Sequence, residues 1–190
     1  MKKRRIYPSV RGDAKPGRGL VVIVRGPMGS GKSTLLRQLK GRRPWRFWCV
    51  NSDEALSAHP GDPWGEFERT ETTVDIDILA LFAKVILGRG LSLLLEQNFQ
   101  TTGQVDRFLR AIGRSRRHPR VLLLRLTVDT EEAVRRKPTV VPAYIRASHR
   151  GFHLHPFPEE VVIETTAKNA RQVQRIVRAA LAERFPQHGG

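Results

Sequence analysis

Gly26-Pro27-Met28-Gly29-Ser30-Gly31-Lys32-Ser33-Thr34 is the stretch of this chain whose residue types and spacing most directly imply a chemistry. It is a glycine-rich turn closed by a lysine and hydroxyl residues, and it follows the apolar run Leu20 to Val24. Glycines let the backbone wrap a phosphate with its N–H groups turned inward, at the positive end of the helix that follows. Lys32 can reach β and γ phosphates, and the Ser33 hydroxyl is placed to ligate the Mg²⁺ that bridges them. Gly26, Gly29, Ser30, Gly31, Lys32, Ser33 and Thr34 are therefore the expected nucleotide-binding residues, with ATP and Mg²⁺ as the cofactors.

Phosphoryl transfer also needs a group that orients and deprotonates the incoming hydroxyl, and a carboxylate facing the γ-phosphate can do this. Asp53, just beyond the strand-like Arg46-Phe47-Trp48-Cys49-Val50-Asn51, is the candidate base. Its competing role is a helix N-cap, since Ser52 and Asp53 precede Glu54-Ala55-Leu56 and either could satisfy open N–H groups. Glu96 closes the run Leu91 to Leu95, where a carboxylate can hold the metal through water; an ion pair with an arginine is the alternative. Gln97 and Asn98 are polar neighbours whose spacing decides nothing. Cationic clamps for the developing charge are expected from a lid after the fourth strand, where Arg135, Arg136 and Lys137 sit, with Arg146 and Arg150 as second choices. His153 and His155 lack the companions of a zinc site and are expected in a loop.

Regular elements must hold these groups. Leu35, Leu36 and Leu39 recur at helical spacing after the turn, and Val74, Ile78, Leu81, Phe82 and Val85 mark an amphipathic helix ending at Gly88 or Gly90. Leu91 to Leu95 reads as a third strand, Val105 to Ile112 as a helix, and Val121 to Leu126 as a fourth strand. Thr130 to Arg136 follows as a short helix closed by Pro138, and Pro142 starts another helical segment. Glu160 to Glu164 is a fifth strand, and Val173, Ile176, Val177 and Leu181 define the last helix. Unbroken apolar strands alternating with helices predict an α/β fold with a parallel sheet covered on both faces. Asp53, Glu96 and the glycine-rich turn then share the edge at the strands' C-terminal ends, where ligands bind. Trp48 and Cys49 are expected to pack in the core; Trp64, between Pro63 and Gly65, is the better candidate to stack on a base than Trp45 or Trp48.

The length of 190 residues predicts a single domain over 20–185, preceded by a flexible basic arm over 1–19 and followed by a loose tail over 186–190. No apolar run is long enough to cross a bilayer, and a lone cysteine excludes an internal disulfide; a cytoplasmic location is expected, with no membrane partner. The net charge of +16 favours polyanionic partners. Arg107, Arg110, Arg114, Arg116, Arg117, Arg120 and Arg125 follow one another without an intervening acid, either as a polyanion-binding face or as a solvated surface.

From residue 20 to about 184 the chain resembles the small P-loop kinases that include the zeta toxins, chloramphenicol phosphotransferase and the kinase domain of phage polynucleotide 5′-kinase. The segments that carry the resemblance are Gly26 to Thr34, Val50 to Glu54, Leu95 to Asn98 and Thr130 to Arg136, followed by Val141-Pro142. The resemblance implies a five-stranded parallel sheet in the order 2-3-1-4-5 with a small lid. By the same likeness Asp53 would activate the acceptor hydroxyl, Lys32 and Ser33 would hold nucleotide and metal, and Arg135 or Arg136 would cover the phosphates. Leu56 stands where the polynucleotide kinase commonly has an arginine, and Glu96 where many members have Asp. The expected activity is transfer of the γ-phosphate of ATP to a hydroxyl acceptor, with an RNA or DNA 5′-end slightly favoured. A small-molecule acceptor is the alternative, and a nucleic-acid-associated ATPase is the second.

Overall fold

A computed structural model describes residues 19–40, 45, 47–52, 68–99, 101–153 and 157–186. Asp53, Leu56, Trp64, His155, residues 1–18 of the basic arm and residues 187–190 of the tail lie outside the described residues. The described elements are β1 (Val21–Arg25), α1 (Lys32–Leu39), β2 (Trp48–Asn51), α2 (Glu68–Gly88), β3 (Leu93–Glu96), α3 (Thr102–Ala111), β4 (Val121–Thr127), α4 (Thr130–Arg136), α5 (Pro142–His153), β5 (Glu160–Glu164) and α6 (Ala170–Arg184).

The strands form one parallel sheet in the order β2-β3-β1-β4-β5. Parallel strands need crossover helices, so both faces of the sheet are buried and each strand must be apolar on both sides. β1 is buried along its whole length and apolar from Val21 to Val24. Val22 and Val24 pack with Leu35, Leu36 and Leu39 of α1 and Val173, Val177 and Leu181 of α6. Val21 and Ile23, turned the other way by the two-residue period, meet α2 and α3. Local chemistry starts the helices where the chain leaves the sheet: Thr101 with Gln104, and Asn169 with Gln172, form reciprocal capping boxes, and the Asp129 carboxylate accepts from the Glu131 and Glu132 amides.

The register places the glycine-rich turn, the end of β3 and the end of β2 side by side. Val24 lies opposite Glu96, and Glu96 opposite Asn51. Arg25, the last residue of β1, faces the α2 and α3 side but is fully buried between the rings of Phe152 and Phe157, 4.6 and 3.7 Å away, with Glu160 at 3.0 Å. Burial pulls its guanidinium down to about 10 against the pull of Glu160, which leaves it charged at neutral pH. This buried cation ties the end of α5 to the strand that carries the turn.

The structure reverses two packing expectations. On α2 the buried stripe is Ile76, Leu79, Ala80, Ala83, Ile86 and Leu87, whereas Leu81, Phe82 and Val85 face outward. Both sets have helical spacing, and the choice falls to α3, which packs along this helix and adds the Arg107–Asp77 ion pair. The tryptophans exchange places as well. Trp45 is buried and stacked on Phe47, while Trp48 is 56% exposed, because β2 is the sheet edge and no further strand lies on its outer flank among the described residues. His153 is the last residue of α5 rather than part of a loop.

Cys49 does pack as expected, against the core layer of α1, with its Sγ near Leu36 O. Burial pushes the thiol up to about 11, so it stays protonated at neutral pH. Iodoacetamide at pH 8 is expected to alkylate Cys49 about tenfold or more slowly than a free thiol, read by mass spectrometry; alkylation at the free-thiol rate would contradict this environment. Among the described residues no helix is long and apolar enough to cross a membrane.

Candidate functional site

The turn between β1 and α1 has the backbone that its glycines permit. Gly29 and Gly31 have φ of +80° and +94°, in the left-handed region that side chains disfavour. At Gly29 a Cβ would also lie 2.8 Å from the Ala133 Cβ of α4, so the position is closed to side chains by space as well as by torsion. Lys32, in the first turn of α1, is buried, and its Nζ curls back to donate to Gly26 O at 2.8 Å and Pro27 O at 3.3 Å. This is a compact loop bridged by its own ammonium group.

Ser33 follows with its Oγ donating to Glu96 Oε1 at 3.0 Å. Glu96 is 3% exposed. A buried carboxylate beside a hydroxyl at a helix N-terminus is a pair of hard oxygen donors, and it fits the demands of Mg²⁺, which keeps most of its waters and takes few protein ligands. The hollow above the pair, about 290 Å³, also reaches Asn51 and Arg37. Ser52 Oγ and Gln97 Oε1, 2.7 Å apart, tie the ends of β2 and β3 one residue before Asp53. The Gln97 side chain thus has a structural contact there, and Asn98 is exposed.

On the other flank of α1 a cavity of about 470 Å³ opens from Ser30, Gly31 and Thr34 toward Gln38, Arg136 and the loop 165–169 that follows β5. Arg136 holds that loop to the glycine-rich turn. Its guanidinium donates to Thr165 O at 2.7 Å, Thr166 O at 2.9 Å and Gly29 O at 3.4 Å, and pairs with Glu132 at 2.9 Å. Arg135 behaves differently. Its side chain is 71% exposed and pairs with Glu132 at 2.6 Å; Arg146 pairs with Glu131, and Arg150 is exposed. Among the described residues, Arg136 is the expected cation that hydrogen-bonds to the turn.

Three contacts to the turn come from residues that sequence reasoning did not single out. Ser148 Oγ accepts from Met28 N at 3.1 Å, His149 Nε2 donates to Met28 O at 3.0 Å, and the Thr165 hydroxyl shares its one hydrogen between Thr127 O at 2.8 Å and Ser30 O at 3.2 Å. A signal existed for His149: it lies on the stripe Ile145, His149, Phe152, all buried on α5. A polar ring on a buried helical stripe requires partners. Thr165 stands just past β5, at the same edge as the other strand ends.

The fold absorbs part of the arginine run, while Arg107, Arg110 and Arg117 remain exposed. Arg114 donates to Gly19 O and Arg120 O, and Arg125 is buried against Phe152 O. Arg107 pairs with Asp77, and Arg116 with Asp106 and Glu159.

Solved structures share this arrangement at low identity. Thymidylate kinase from Candida albicans superposes with a TM-score of 0.65 at 13% identity, over 91% of this chain and 94% of that one. A gluconokinase from Sinorhizobium meliloti 1021 gives 0.63 at 12%, over 91% and 97%. The tunicamycin resistance protein of Deinococcus radiodurans gives 0.60 at 19%, over 86% and 96%. These likenesses establish a fold shared with small P-loop kinases. No curated protein matches the chain in sequence. The sequence family described as "AAA domain" (AAA_33) matches residues 21–139, a span that takes in the glycine-rich turn, Glu96 and α4. With that match over more than half of its length, the chain belongs to the AAA_33 family of AAA domains.

Proposed function

We propose that this protein is a Mg²⁺-dependent kinase that passes the γ-phosphate of ATP to a hydroxyl acceptor. The observation that carries the reading is the convergence of Lys32, Ser33 and Glu96 at the mouth of one loop, with Ser33 Oγ and Glu96 Oε1 3.0 Å apart. Gly26, Gly29, Ser30 and Gly31 supply the backbone cradle, Thr34 flanks it, and the 470 Å³ cavity beside them takes the nucleoside. Lys32 leaves its loop carbonyls for the β and γ oxygens. Ser33 and Glu96 would hold Mg²⁺, which when bound would offset charge on the phosphate oxygens.

Asp53, beyond the end of β2, accepts the acceptor's proton. The acceptor oxygen forms the new bond to the γ-phosphorus as the bond to the β–γ bridging oxygen breaks, and ADP leaves. Arg136 serves here by holding the turn and the loop 165–169 together, and exposed Arg135 is the cation able to swing from Glu132 to a phosphate. Related folds bear the names gluconokinase, thymidylate kinase and shikimate kinase. The occupation of Arg114 and Arg125 in buried contacts, and of Arg107 and Arg116 in ion pairs, favours a small hydroxyl compound as acceptor. The second reading, an RNA or DNA 5′-hydroxyl, draws on the basic residues Lys2, Lys3, Arg4 and Arg5.

Incubation with γ-labelled ATP, Mg²⁺ and pools of sugars, nucleosides, antibiotics and 5′-hydroxyl oligonucleotides tests this. Label is expected as a phosphomonoester that needs Mg²⁺; label found only as free phosphate makes the protein an ATPase and removes the kinase reading. Salt separates the acceptor classes. Between about 50 and 200 mM salt a polynucleotide acceptor loses affinity by orders of magnitude, whereas a neutral small acceptor does not.

A further inference from the structure

The glycine-rich turn is held from outside by its carbonyls. Met28 O receives His149 Nε2 at 3.0 Å, and Ser30 O, 3.2 Å from Thr165 Oγ1, shares that hydroxyl with Thr127 O at 2.8 Å. In a planar trans peptide the C=O and the following N–H point in opposite directions. A carbonyl fixed outward therefore turns the next amide inward: Met28 O governs Gly29 N–H, and Ser30 O governs Gly31 N–H. Glycine at position 29, with φ of +80°, has an unusually wide range of torsions open to it, so the direction of its amide depends on what grips the peptide from the far side.

His149 is built for that grip. Its ring is 2% exposed on α5, and because Met28 O can only accept, Nε2 carries the hydrogen. Nδ1 then takes the Thr130 Oγ1 hydroxyl at 3.1 Å, which orients the ring from α4. Ser148, the preceding residue, accepts from Met28 N at 3.1 Å, so adjacent residues of one helix hold both backbone groups of Met28. Ile145, one turn earlier, packs in the small cluster of Val128 and Ala133 against which Met28 rests.

We infer that His149, seconded by Ser148, is a positioning residue of the phosphate cradle: it holds the Met28–Gly29 peptide so that Gly29 N–H points at the bound phosphates. The inference rests on the reading of the turn as a triphosphate site. It makes α5 part of the binding apparatus through the backbone alone, without contact to the nucleotide.

Three proteins test it: the wild type, His149→Leu, which removes the donor, and His149→Gln, whose amide nitrogen reaches about as far as Nε2. Calorimetry with Mg²⁺ should show His149→Leu binding ADP about tenfold more weakly, equivalent to about 1.4 kcal/mol. Adenosine, which has no phosphate, should bind unchanged, and His149→Gln should recover ADP affinity to within a few-fold of wild type. A structural role alone would instead weaken adenosine and ADP together, in both variants, and would overturn the inference. So would unaltered ADP affinity in His149→Leu.

Amide hydrogen exchange of the segment 26–34 in nucleotide-free protein is the second readout. It should quicken about tenfold in His149→Leu, with β4 unaffected, and be restored in His149→Gln; unchanged exchange in His149→Leu rejects the brace. If the wild type bound no nucleotide, the triphosphate reading would fail, while exchange would still decide whether His149 holds the peptide.

Discussion

Lys32→Ala is expected to abolish phosphoryl transfer, with a fall of about 10³ or more in turnover. The side chain is buried and has its Nζ within 2.8 Å of Gly26 O, at the rim of the loop where the phosphates would lie. Its charge meets the charge that grows on the transferred group, and no solvent molecule can replace a pre-placed ammonium there. Stability should change little, because the ammonium contacts are loop carbonyls that water can reach once the side chain is shortened. The measurement is transfer of label from γ-labelled ATP, alongside a thermal melt to establish that the variant is folded. A folded variant that retains a tenth of wild-type turnover would contradict the role given to Lys32.

Asp53→Asn is the second large effect. Turnover should drop by about 10² or more while ATP affinity stays within a few-fold. The choice of asparagine separates the two roles that the sequence leaves open at this position. Asn caps a helix N-terminus as well as Asp does, so a residue that served only as a cap would leave turnover intact. A base cannot survive the exchange, because the amide does not take the proton. Asp53→Ala removes both functions, and comparison of its melting temperature with that of Asp53→Asn measures how much capping the position provides. Wild-type turnover in Asp53→Asn would withdraw the base from Asp53.

The glycine-rich turn, the sheet and the site differ in how much of each could be read from residues alone. Glycines at 26, 29 and 31 followed by Lys32 and Ser33 define a conformation and a charge that belong to a few consecutive residues, so local chemistry suffices. The same holds for Glu96, since a carboxylate ending an apolar strand needs a partner, and the structure provides the Ser33 hydroxyl. The order β2-β3-β1-β4-β5 agrees with the expectation drawn from the family likeness.

α2 was not legible in this way. Its sequence carries apolar residues on nearly every side, so periodicity offers more than one candidate face, and docking of α3 selects Ile76, Leu79 and Ala83 over Leu81, Phe82 and Val85. Trp45 and Trp48 are chemically identical, and their burial depends on β2 being an edge, a property of the sheet as a whole. The arginine run has the same character. A surplus of charge is visible in composition, but whether each guanidinium meets solvent or an internal oxygen depends on contacts such as Arg114 with Gly19 O, 95 residues apart.

By itself, then, the sequence determined that a glycine-rich loop lies between a buried strand and a helix, that the chain alternates strands and helices into a parallel sheet, and that a carboxylate ends the third strand. These follow from short-range geometry: torsions that glycine allows, periods of two and 3.6 residues, and the cost of a lone charge in an apolar run. Tertiary structure alone decided that Arg136 rather than Arg135 reaches the loop, that Arg114 and Arg125 of the arginine run are turned inward while Arg107, Arg110 and Arg117 stay exposed, and that His149 holds a carbonyl of the loop. Those are contacts between residues far apart in the chain, and their formation depends on how the helices dock on the sheet, which no local pattern specifies.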